Sequence, residues 1–499
     1  MTGKGRVALE DALEPLVVAL DVGSTASRGD VYDAAGRPVE GGRRKVAHQF
    51  RSGADGTSEI DPDQVADEIG TLLTDLVDRP LGGRVAGVAM DTFASSLVGV
   101  GADGRAVSPC YTYADSRCGR QVTALRSELD EAQVQQRTGC RLHSSYLPAR
   151  LRWLRETDQD RFAAAERWMS LGEYVHLRLL GTTAAGTSTA AWTGLLDRRT
   201  GRWDPELLHA AGVGAHQLSE VRDPDHPLSD VDPQVGTRWP ELAGARWFAP
   251  IADGFASNLG AGADDGRTAA LSAATSGAIR VLVHDIPERI PPGLWCYRVD
   301  SHRSLLGGAL NDVGRVVSWL ENTVQLDGAD PDRLLGAAPG SGTPLVLPYL
   351  SGERSTGWAA SARAVISGVS TATDGPALLR GAMEGVALSY ARIADQLRTV
   401  VGDPERIVAS GRVTQDLPGW LQMLADALGA PVEPVTIKRA TLHGTALHAL
   451  EVLAPDTARA PVETAPTLHP VPGHRDHYRG RAEQYDQLYR AVAVQDPPS

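Results

Sequence analysis

The sequence predicts an α/β protein built from two domains, and three observations indicate this. The chain has 499 residues, which is more than one hydrophobic core usually serves. Apolar runs typical of buried strands alternate with helical patterns in both halves of the chain. Two turns of small residues, each flanked by β-rich runs, lie about half a chain apart. We therefore expect two α/β domains of roughly 200 to 250 residues each.

The first small-residue turn lies in the segment VVALDVGSTASRGDVYD. An apolar run ends at Asp21, the turn contains Gly23, Ser24 and Thr25, and a β-rich run follows with Arg28. Small residues leave the backbone amides and hydroxyls open to an anion, so such a turn is suited to binding phosphate. Asp21 adds a carboxylate that is suited to holding Mg2+ through water.

The second small-residue turn lies in the segment AALSAATSGAIRVLVHD, where Thr275, Ser276 and Gly277 interrupt an apolar run. Ser272 stands where the first segment has Asp21, so we expect the metal on the N-terminal side only. One such turn by itself is typical of an ordinary sheet edge. The occurrence of two favours a polyphosphate ligand held by both.

The elements between the two turns follow the same alternation. The segment PDQVADEIGTLLTDLVDRP has a helical period that Pro80 closes, and RVAGVAMDTF is typical of a buried strand. Asp91, Thr92 and Ser95 follow that strand, where ligands gather in α/β sheets. The segment SYLPARLRWLRE predicts a helix with Arg150, Arg152 and Arg155 spread around its non-leucine faces, and we expect most of these arginines to be solvated.

The C-terminal half continues with a helix in LLRGAMEGVALSYARIADQL, a strand in RIVASGRV and a helix in LPGWLQMLADALG. The stretch 454–473 is rich in Pro, Ala and Thr, which predicts an extended crossing segment before a short helix at 483–492. The predicted divisions are an N-terminal extension at 1–15, a first domain at 16–254, a second domain at 255–454, and the crossing segment with its terminal helix at 455–499.

Composition excludes several classes of protein. The formal net charge is -13, which argues against general attraction to nucleic acid or to anionic membranes. No apolar run reaches membrane-spanning length, and acidic residues interrupt the N-terminus where a signal peptide would be apolar. The 4 cysteines form no CxxC motif, and the histidines lack zinc-type spacing. These features predict a cytoplasmic protein with reduced thiols and no zinc site.

Several motifs in order resemble the FGGY family of carbohydrate kinases, and its gluconokinase-like branch in particular. The resemblance covers the chain from about Leu16 to Leu453. Among the segments that carry it are ALDVGSTASR, DTFASSLVGVGADGR, YTYADSR, ADGFASNLGAG, ATSGAIR, GGALNDVG and VASGRVTQDLPGWLQMLADALG. It implies a two-domain actin-like ATPase fold with ribonuclease-H-like domains and an interdomain catalytic cleft. It also implies transfer of the ATP γ-phosphoryl group to a sugar hydroxyl, with Mg2+ as cofactor.

The resemblance also implies roles for individual residues. Asp253 is the expected catalytic base, because a sugar hydroxyl must lose its proton during phosphoryl transfer. The alternative for this aspartate is a helix N-cap or turn. The implied metal-binding residue is Asp21. The implied substrate positions are Thr92, Ser95, Asp115, Arg117, Tyr146 and Asp253. The implied nucleotide and phosphate positions are Ser24, Thr25, Arg28, Thr275, Ser276, Gly277, Gly314 and Gly411.

The chain departs from the family pattern at a few positions. Arg412 stands where a second glycine is usual after Gly411, so its side chain points outward, stacks on adenine or obstructs it. Ala252 and Ala274 replace glycines, which is tolerated unless φ is positive. Ala94 and Ser95 replace a common Trp-His pair and predict a smaller pocket. Arg117 is suited to a substrate carboxylate or to a salt bridge with Asp115.

The sequence as a whole predicts an ATP-dependent kinase of a small sugar or sugar acid, with gluconate as first choice. A kinase of a five-carbon ketose or polyol is one alternative, and a kinase-like sugar sensor with impaired catalysis is another. Homodimers are common in the family, so a homodimer is an expectation of the resemblance. The glycine-rich segment GAGADDG at 260–266 misses the GxGxxG spacing, and no GxxxxGK[ST] motif occurs, which argues against dinucleotide-binding and P-loop proteins.

Overall fold

The computed structural model describes residues 5–326 and 328–492 of the chain. Its contacts divide the chain into two compact units that both combine sheets and helices. The first unit contains residues up to Gly260 together with Cys296–Ser304 and Lys438–Pro461, and the second contains Ala261–Trp295, Leu305–Ile437 and the chain from Val462. The predicted α/β fold class is therefore confirmed. The residue boundaries at 254/255 and 454/455 stay a prediction.

The part of the first unit that ends at Gly260 contains fifteen strands in its described residues. The strands are β1 Leu16–Val22, β2 Ala26–Tyr32, β3 Arg44–Ala47, β4 Arg51–Ser52, β5 Ser58–Ile60, β6 Val85–Thr92, β7 Val98–Val100, β8 Cys110–Tyr111, β9 Arg167–Met169, β10 Ala185–Gly186, β11 Leu196–Asp197, β12 Arg202–Trp203, β13 Val221–Arg222, β14 Arg246–Trp247 and β15 Ile251–Ala252. The helices of this segment are α1 Pro62–Val77, α2 Gly119–Glu128, α3 Glu131–Thr138, α4 Leu147–Thr157, α5 Gln159–Ala164, α6 Leu171–Leu180, α7 Thr187–Trp192, α8 Pro205–Ala211, α9 Gln234–Arg238 and α10 Asp253–Gly260. Short 3-10 turns occur at Leu9–Asp11, Ala215–Gln217 and Pro240–Leu242.

The remaining elements follow in chain order. The strands are β16 Thr268–Ala273, β17 Gly277–Val283, β18 Trp295–Arg298, β19 Ser304–Leu310, β20 Leu345–Leu347, β21 Val365–Ser367, β22 Arg406–Ser410 and β23 Val432–Pro434. The helices are α11 Gly314–Thr323, α12 Pro331–Gly336, α13 Gly375–Val401, α14 Arg412–Asp416, α15 Trp420–Leu428, α16 Ala440–Leu453 and α17 Pro472–Val492. Helix α16 belongs to the first unit although it lies late in the chain.

The main sheet of the first unit has the strand order β14-β6-β1-β2-β3, and β15 pairs with the end of β6. Strand β1 runs antiparallel to β2 and parallel to β6. All residues of β1 are buried. Val18 and Leu20 share an apolar cluster with α1, whereas Val17 and Ala19 share one with α16. Helices thus cover both faces of β1, which explains its continuous apolar run.

The main sheet of the second unit has the strand order β19-β17-β16-β22-β23. Strand β16 forms an antiparallel hairpin with β17 and runs parallel to β22. The first unit has the same arrangement, because β1 forms an antiparallel hairpin with β2 and runs parallel to β6. Each small-residue turn predicted from the sequence therefore connects the strands of a hairpin in the centre of a sheet.

The C-terminal helix is longer than the composition indicated. It begins at Pro472 rather than near residue 483, because its apolar contacts come from spaced tyrosines, Tyr478, Tyr485 and Tyr489, which are buried. Residues 493–499 of the predicted terminal segment lie outside the described residues, as do residues 1–4 of the predicted extension. All four cysteines are free and buried. Within residues 5–326 and 328–492, no helix is both long and apolar enough to cross a membrane.

Truncation of a core leucine on α1 tests the packing of the first sheet. Leu73 is fully buried in the cluster that contains Val18 and Leu20. We expect Leu73→Ala to destabilise the protein by roughly 2–5 kcal/mol, because it leaves a cavity that neighbouring side chains fill only in part. Urea denaturation followed by tryptophan fluorescence measures this. Leu13→Ala is the control, since Leu13 is 49% exposed, and an equal loss in both variants would contradict the assigned packing.

Candidate active site

Three aspartates lie at the carboxyl ends of three neighbouring parallel strands. Asp21 of β1 pairs in register with Asp91 of β6, and β15 pairs with the same end of β6 immediately before Asp253. The carboxyl ends of parallel strands are where α/β proteins bind ligands. The register of the sheet, and not proximity in sequence, brings these carboxyl groups to one edge.

Asp21 and Asp91 are both buried, and their electrostatics differ. Burial raises the pKa of Asp21, and the charge and hydrogen bond of Arg28 oppose that rise. The Arg28 Nη1 atom lies 3.0 Å from Asp21 Oδ2. Burial and then the charge of Asp21 raise the pKa of Asp91 well above its usual value. Because Arg28 pairs with Asp21, the neutral form is favoured more strongly for Asp91 than for Asp21.

Thr445 of α16 supports the Asp91 carboxyl group. Its Oγ1 lies 2.5 Å from Asp91 Oδ2 in a buried hydrogen bond. Sequence analysis placed Asp91 at a strand end without a role and did not find Thr445. The sequence contains a signal for Asp91, since this residue ends an apolar run directly before Thr92. It contains no signal for Thr445, because 354 residues separate Thr445 from Asp91.

The first small-residue turn joins β1 to β2 beside this carboxyl pair. The Gly23 amide donates to the Ala26 carbonyl over 3.2 Å, and Arg28 Nη1 donates to the same carbonyl over 3.3 Å. A Cβ atom on Gly23 would lie 3.0 Å from Arg28 Nη1. Glycine therefore lets the guanidinium reach over the turn to Asp21. Ser24 is half-buried and Thr25 is exposed.

Asp253 is the first residue of α10 and is half-buried. Its Oδ1 accepts a hydrogen bond of 2.8 Å from the Gly254 amide. The preceding Ala252 amide donates to Ser188 Oγ over 3.1 Å, which fixes the end of β15 against α7. Ala252 is not among the described residues with positive φ. The alanine that replaces the expected glycine is therefore tolerated here.

Two of the predicted sugar-binding residues are Thr92, the last residue of β6, and Ser95 in the turn after it. Thr92 is fully buried, and Ser95 has a positive φ of 57°. Ser95 Oγ donates to the Trp192 carbonyl over 2.6 Å, and the Ser95 carbonyl accepts from Arg150 Nη1 over 2.8 Å. Arg150 is completely buried. Arg150 is therefore not one of the solvated arginines that the sequence predicts on helix α4, because its guanidinium donates to the Ser95 and Ser144 carbonyls.

The other predicted sugar-binding residues lie in separate hydrogen-bonded groups. Arg117 Nη2 lies 2.6 Å from Asp115 Oδ2 and 2.5 Å from Glu59 Oε1, and its guanidinium packs over the Trp153 ring. Of the two roles open to Arg117, this arrangement matches the salt bridge with Asp115. The Tyr146 hydroxyl is buried and forms a hydrogen bond of 2.6 Å with the Tyr297 hydroxyl.

The second small-residue turn is exposed at Ala274, Thr275 and Ser276. The Gly314 amide, at the start of α11, donates to the Ala274 carbonyl over 2.8 Å. Gly411 has a φ of 113°, and a Cβ atom there would lie 2.2 Å from the Ala273 carbonyl oxygen. Ala274 is not among the described residues with positive φ. The structure thus brings two predicted nucleotide-binding glycines against the same turn.

Gly277 and Arg412 complete the surroundings of this turn. A Cβ atom on Gly277 would lie 1.8 Å from the Tyr390 hydroxyl oxygen, which donates to the Ser272 carbonyl. The Arg412 side chain is 86% exposed, and its Nε lies 2.8 Å from Asp416 Oδ2. Of the three orientations left open for Arg412, the structure has the outward one.

Comparison with known proteins decides the family. Residues 16–256 match the N-terminal domain of the FGGY family of carbohydrate kinases, and residues 269–451 match its C-terminal domain. The chain belongs to the FGGY family of carbohydrate kinases. The resemblance and the actin-like ATPase fold class predicted from the sequence are confirmed. The protein is an ATP-dependent sugar kinase of this family.

Individual relatives show how far the similarity extends. The gluconokinase of Bacillus subtilis (strain 168) is 23% identical over 431 residues, which is 83% of each chain. The crystal structure of gluconate kinase from Lactobacillus acidophilus superimposes with a TM-score of 0.88 at 25% identity, covering 96% of this chain and 98% of that one. Ligand-bound xylulose kinase from Lactobacillus acidophilus also gives a TM-score of 0.88 at 25% identity, covering 96% and 99%. These values establish the fold and leave the sugar open.

Neutralising Asp91 tests the buried carboxyl pair. An acid whose pKa is higher in the folded than in the unfolded protein lowers stability once the pH exceeds the unfolded value of about 3.9. Asp91→Asn removes this cost and keeps a hydrogen-bonding partner for Thr445. We expect it to raise stability at pH 7 by about 1–3 kcal/mol and to have no effect below pH about 4. Thermal unfolding between pH 4 and pH 8 measures this. Asp225→Asn, at an exposed position, is the control, and a less stable Asp91→Asn protein at pH 7 would refute the assignment.

Substitution of Gly411 tests the close approach to the second turn. Gly411→Ala places a methyl group against the Ala273 carbonyl in a backbone conformation that alanine adopts at a cost of about 1–3 kcal/mol. We expect a lower thermal midpoint and at least about tenfold weaker binding of ADP, measured by calorimetry. Gly342→Ala serves as the matched control, since a Cβ atom there has no neighbour within 4 Å. Unchanged ADP affinity in Gly411→Ala would exclude this glycine from nucleotide binding.

Proposed function

We propose that the protein transfers the γ-phosphoryl group of ATP to a hydroxyl of a sugar acid, with gluconate as the first candidate. The observation that carries the proposal is the set of three aspartates at the ends of adjacent parallel strands. Asp21 and Asp91 form a buried pair, and Asp253 stands beside them at the start of α10. A kinase needs this combination of a metal-side carboxylate and a separate base.

Asp253 is the proposed general base. It accepts the proton of the attacking sugar hydroxyl at a carboxylate oxygen while the phosphoryl group is transferred. Its position at the first turn of α10 and the bond from the Gly254 amide restrict the carboxylate to one orientation. The raised pKa of Asp91 favours its neutral form and so limits the negative charge at this edge of the sheet.

The residues of the first turn are suited to the metal and phosphate side of the reaction. Asp21 offers a hard oxygen ligand of the kind that Mg2+ prefers. No group of three or more potential metal ligands occurs in the described residues. This fits Mg2+, which typically uses one or two carboxylates and takes its other ligands from water and phosphate. When bound, Mg2+ neutralises phosphate charge. Ser24, Thr25 and Arg28 then orient the phosphate oxygens from the protein side.

The second turn is the proposed site of the nucleotide in the second unit. Its exposed residues Thr275 and Ser276 present hydroxyls and backbone amides, and Gly314 and Gly411 pack closely against the backbone of the turn. The outward orientation of Arg412 removes the steric argument for a sensor with impaired catalysis. We therefore favour an active kinase over that alternative.

A five-carbon ketose is the second candidate substrate. Arg117 already pairs with Asp115 and Glu59, so its charge is largely compensated before any substrate carboxylate binds. The similarity to ligand-bound xylulose kinase from Lactobacillus acidophilus adds weight to this candidate. Gluconate remains the first choice because gluconokinases match the chain in both sequence and structure. The homodimer and the polyol substrate stay predictions of the family resemblance.

Replacement of the base tests the proposal. We expect Asp253→Asn to lower kcat by about 10²- to 10⁴-fold, because the amide does not accept the hydroxyl proton. The affinity for Mg-ADP should stay within about twofold of the original, since Asp253 is assigned to the sugar hydroxyl. An assay coupled to ADP release, with gluconate, xylulose, ribulose and glycerol as acceptors, measures both activity and substrate.

The matched control is Asp225→Asn, in which the replaced aspartate is exposed in the same unit. It should keep full activity. An Asp253→Asn protein with normal kcat would reject the assigned base. A wild-type protein that releases no ADP with any acceptor would reject the kinase proposal for this panel as a whole.

A further inference from the structure

A buried histidine lies directly beneath the first small-residue turn. His48 follows β3, and its side chain is fully buried. Its Nε2 lies 2.8 Å from the Gly23 carbonyl oxygen, and its backbone amide donates to the Thr25 carbonyl over 3.2 Å. One residue from a neighbouring strand thus holds two carbonyls of the turn that carries Ser24. Sequence analysis assigned no role to His48.

The other ring nitrogen of His48 faces an acidic residue of α1. His48 Nδ1 lies 2.8 Å from Glu68 Oε2. Ser27 Oγ donates to the same oxygen over 3.1 Å, and Gln64 Nε2 donates to Glu68 Oε1 over 2.9 Å. The Glu68 carboxylate is therefore used as an acceptor by three different side chains. It joins α1, β2 and His48 below the turn.

The hydrogen-bonding geometry engages both nitrogens of the imidazole ring. Nε2 of His48 faces the Gly23 carbonyl, and Nδ1 faces the Glu68 carboxyl group. A carbonyl oxygen only accepts, so the bond to Gly23 requires a proton on Nε2. The Phe50 ring lies nearly parallel to the imidazole, with an interplanar angle of 13° and a centroid distance of 6.4 Å.

We propose that the His48–Glu68 pair is a positioning device for the phosphate-binding turn. A turn with Gly23 at its start has many accessible backbone conformations. Fixing the Gly23 and Thr25 carbonyls fixes the peptide planes that carry the Ser24 and Ala26 amides. Ser24 and Thr25, whose hydroxyls face the phosphates in the proposed function, lie between these two planes. The inference rests on that function only for the identity of the ligand. The bracing of the turn is a property of the free protein.

Two substitutions separate bracing of the turn from general packing. In His48→Gln the amide nitrogen takes the place of Nε2 and is able to donate to the Gly23 carbonyl. In His48→Asn the amide nitrogen takes the place of Nδ1 and reaches Glu68 only. We expect His48→Asn to raise the KM for Mg-ATP and the dissociation constant for Mg-ADP by about tenfold, with the KM of the sugar unchanged. His48→Gln should restore both values to within about threefold of the original.

Hydrogen–deuterium exchange provides a measurement that does not depend on activity. The amides of the turn, in a peptide covering residues 20–28, should exchange faster in His48→Asn than in wild type and at the original rate in His48→Gln. His176→Gln is the control for loss of a buried histidine, because its ring lies against Trp247. It should leave exchange of the turn and the KM for Mg-ATP unchanged.

The outcomes distinguish this inference from the proposed function. Unchanged exchange of the turn in His48→Asn would overturn the inference, whatever the kinetics. Faster exchange with no ADP release by the wild-type protein would support the brace and count against the kinase proposal. If His48→Asn does not fold, 15N NMR of histidine-labelled wild-type protein decides the matter. A proton on Nε2 supports the brace, and a ring protonated only on Nδ1 overturns it.

Discussion

The in-register pairing of β1 with β6 is the constraint on which the candidate site depends. It places Asp21 beside Asp91 where both strands are covered by helices on each face. Two carboxyl groups that lie so near each other in a buried environment do not both ionise without a large free-energy cost. Arg28 stabilises the charge of Asp21, and Thr445 satisfies the neutral Asp91. One negative charge is thus kept at a defined place next to the base candidate Asp253.

The two sheets use glycine for different purposes at their central hairpins. In the first unit, Gly23 leaves room for a cation that reaches over the turn, and His48 fixes the turn from below. In the second unit, Gly277, Gly314 and Gly411 let backbone and a tyrosine hydroxyl pack directly against the turn. The first turn is therefore shaped by charged side chains and the second by close backbone packing.

Arginine residues show where reasoning from sequence stops. Arg28 was assigned to the phosphate side from its place in a motif, and it lies beside Asp21. Arg150 had the spacing of a surface residue, yet it is buried because two backbone carbonyls need its guanidinium. The sequence left several roles open for Arg117 and for Arg412. In the structure, Arg117 forms an ion pair with Glu59, and Arg412 forms one with Asp416, and these ion pairs decide between the roles.

Local patterns in the sequence predict the α/β class, the two hairpin turns and the helix of 62–77, because periodicity and turn chemistry act over a few residues. The family and the expected roles of Asp21 and Asp253 come from the resemblance of ordered motifs. No pattern in the sequence predicts that α16 covers β1, that Thr445 donates to Asp91 or that His48 holds the Gly23 carbonyl. Such contacts join segments that are far apart in the chain, and they depend on strand register and helix packing, which no local pattern encodes.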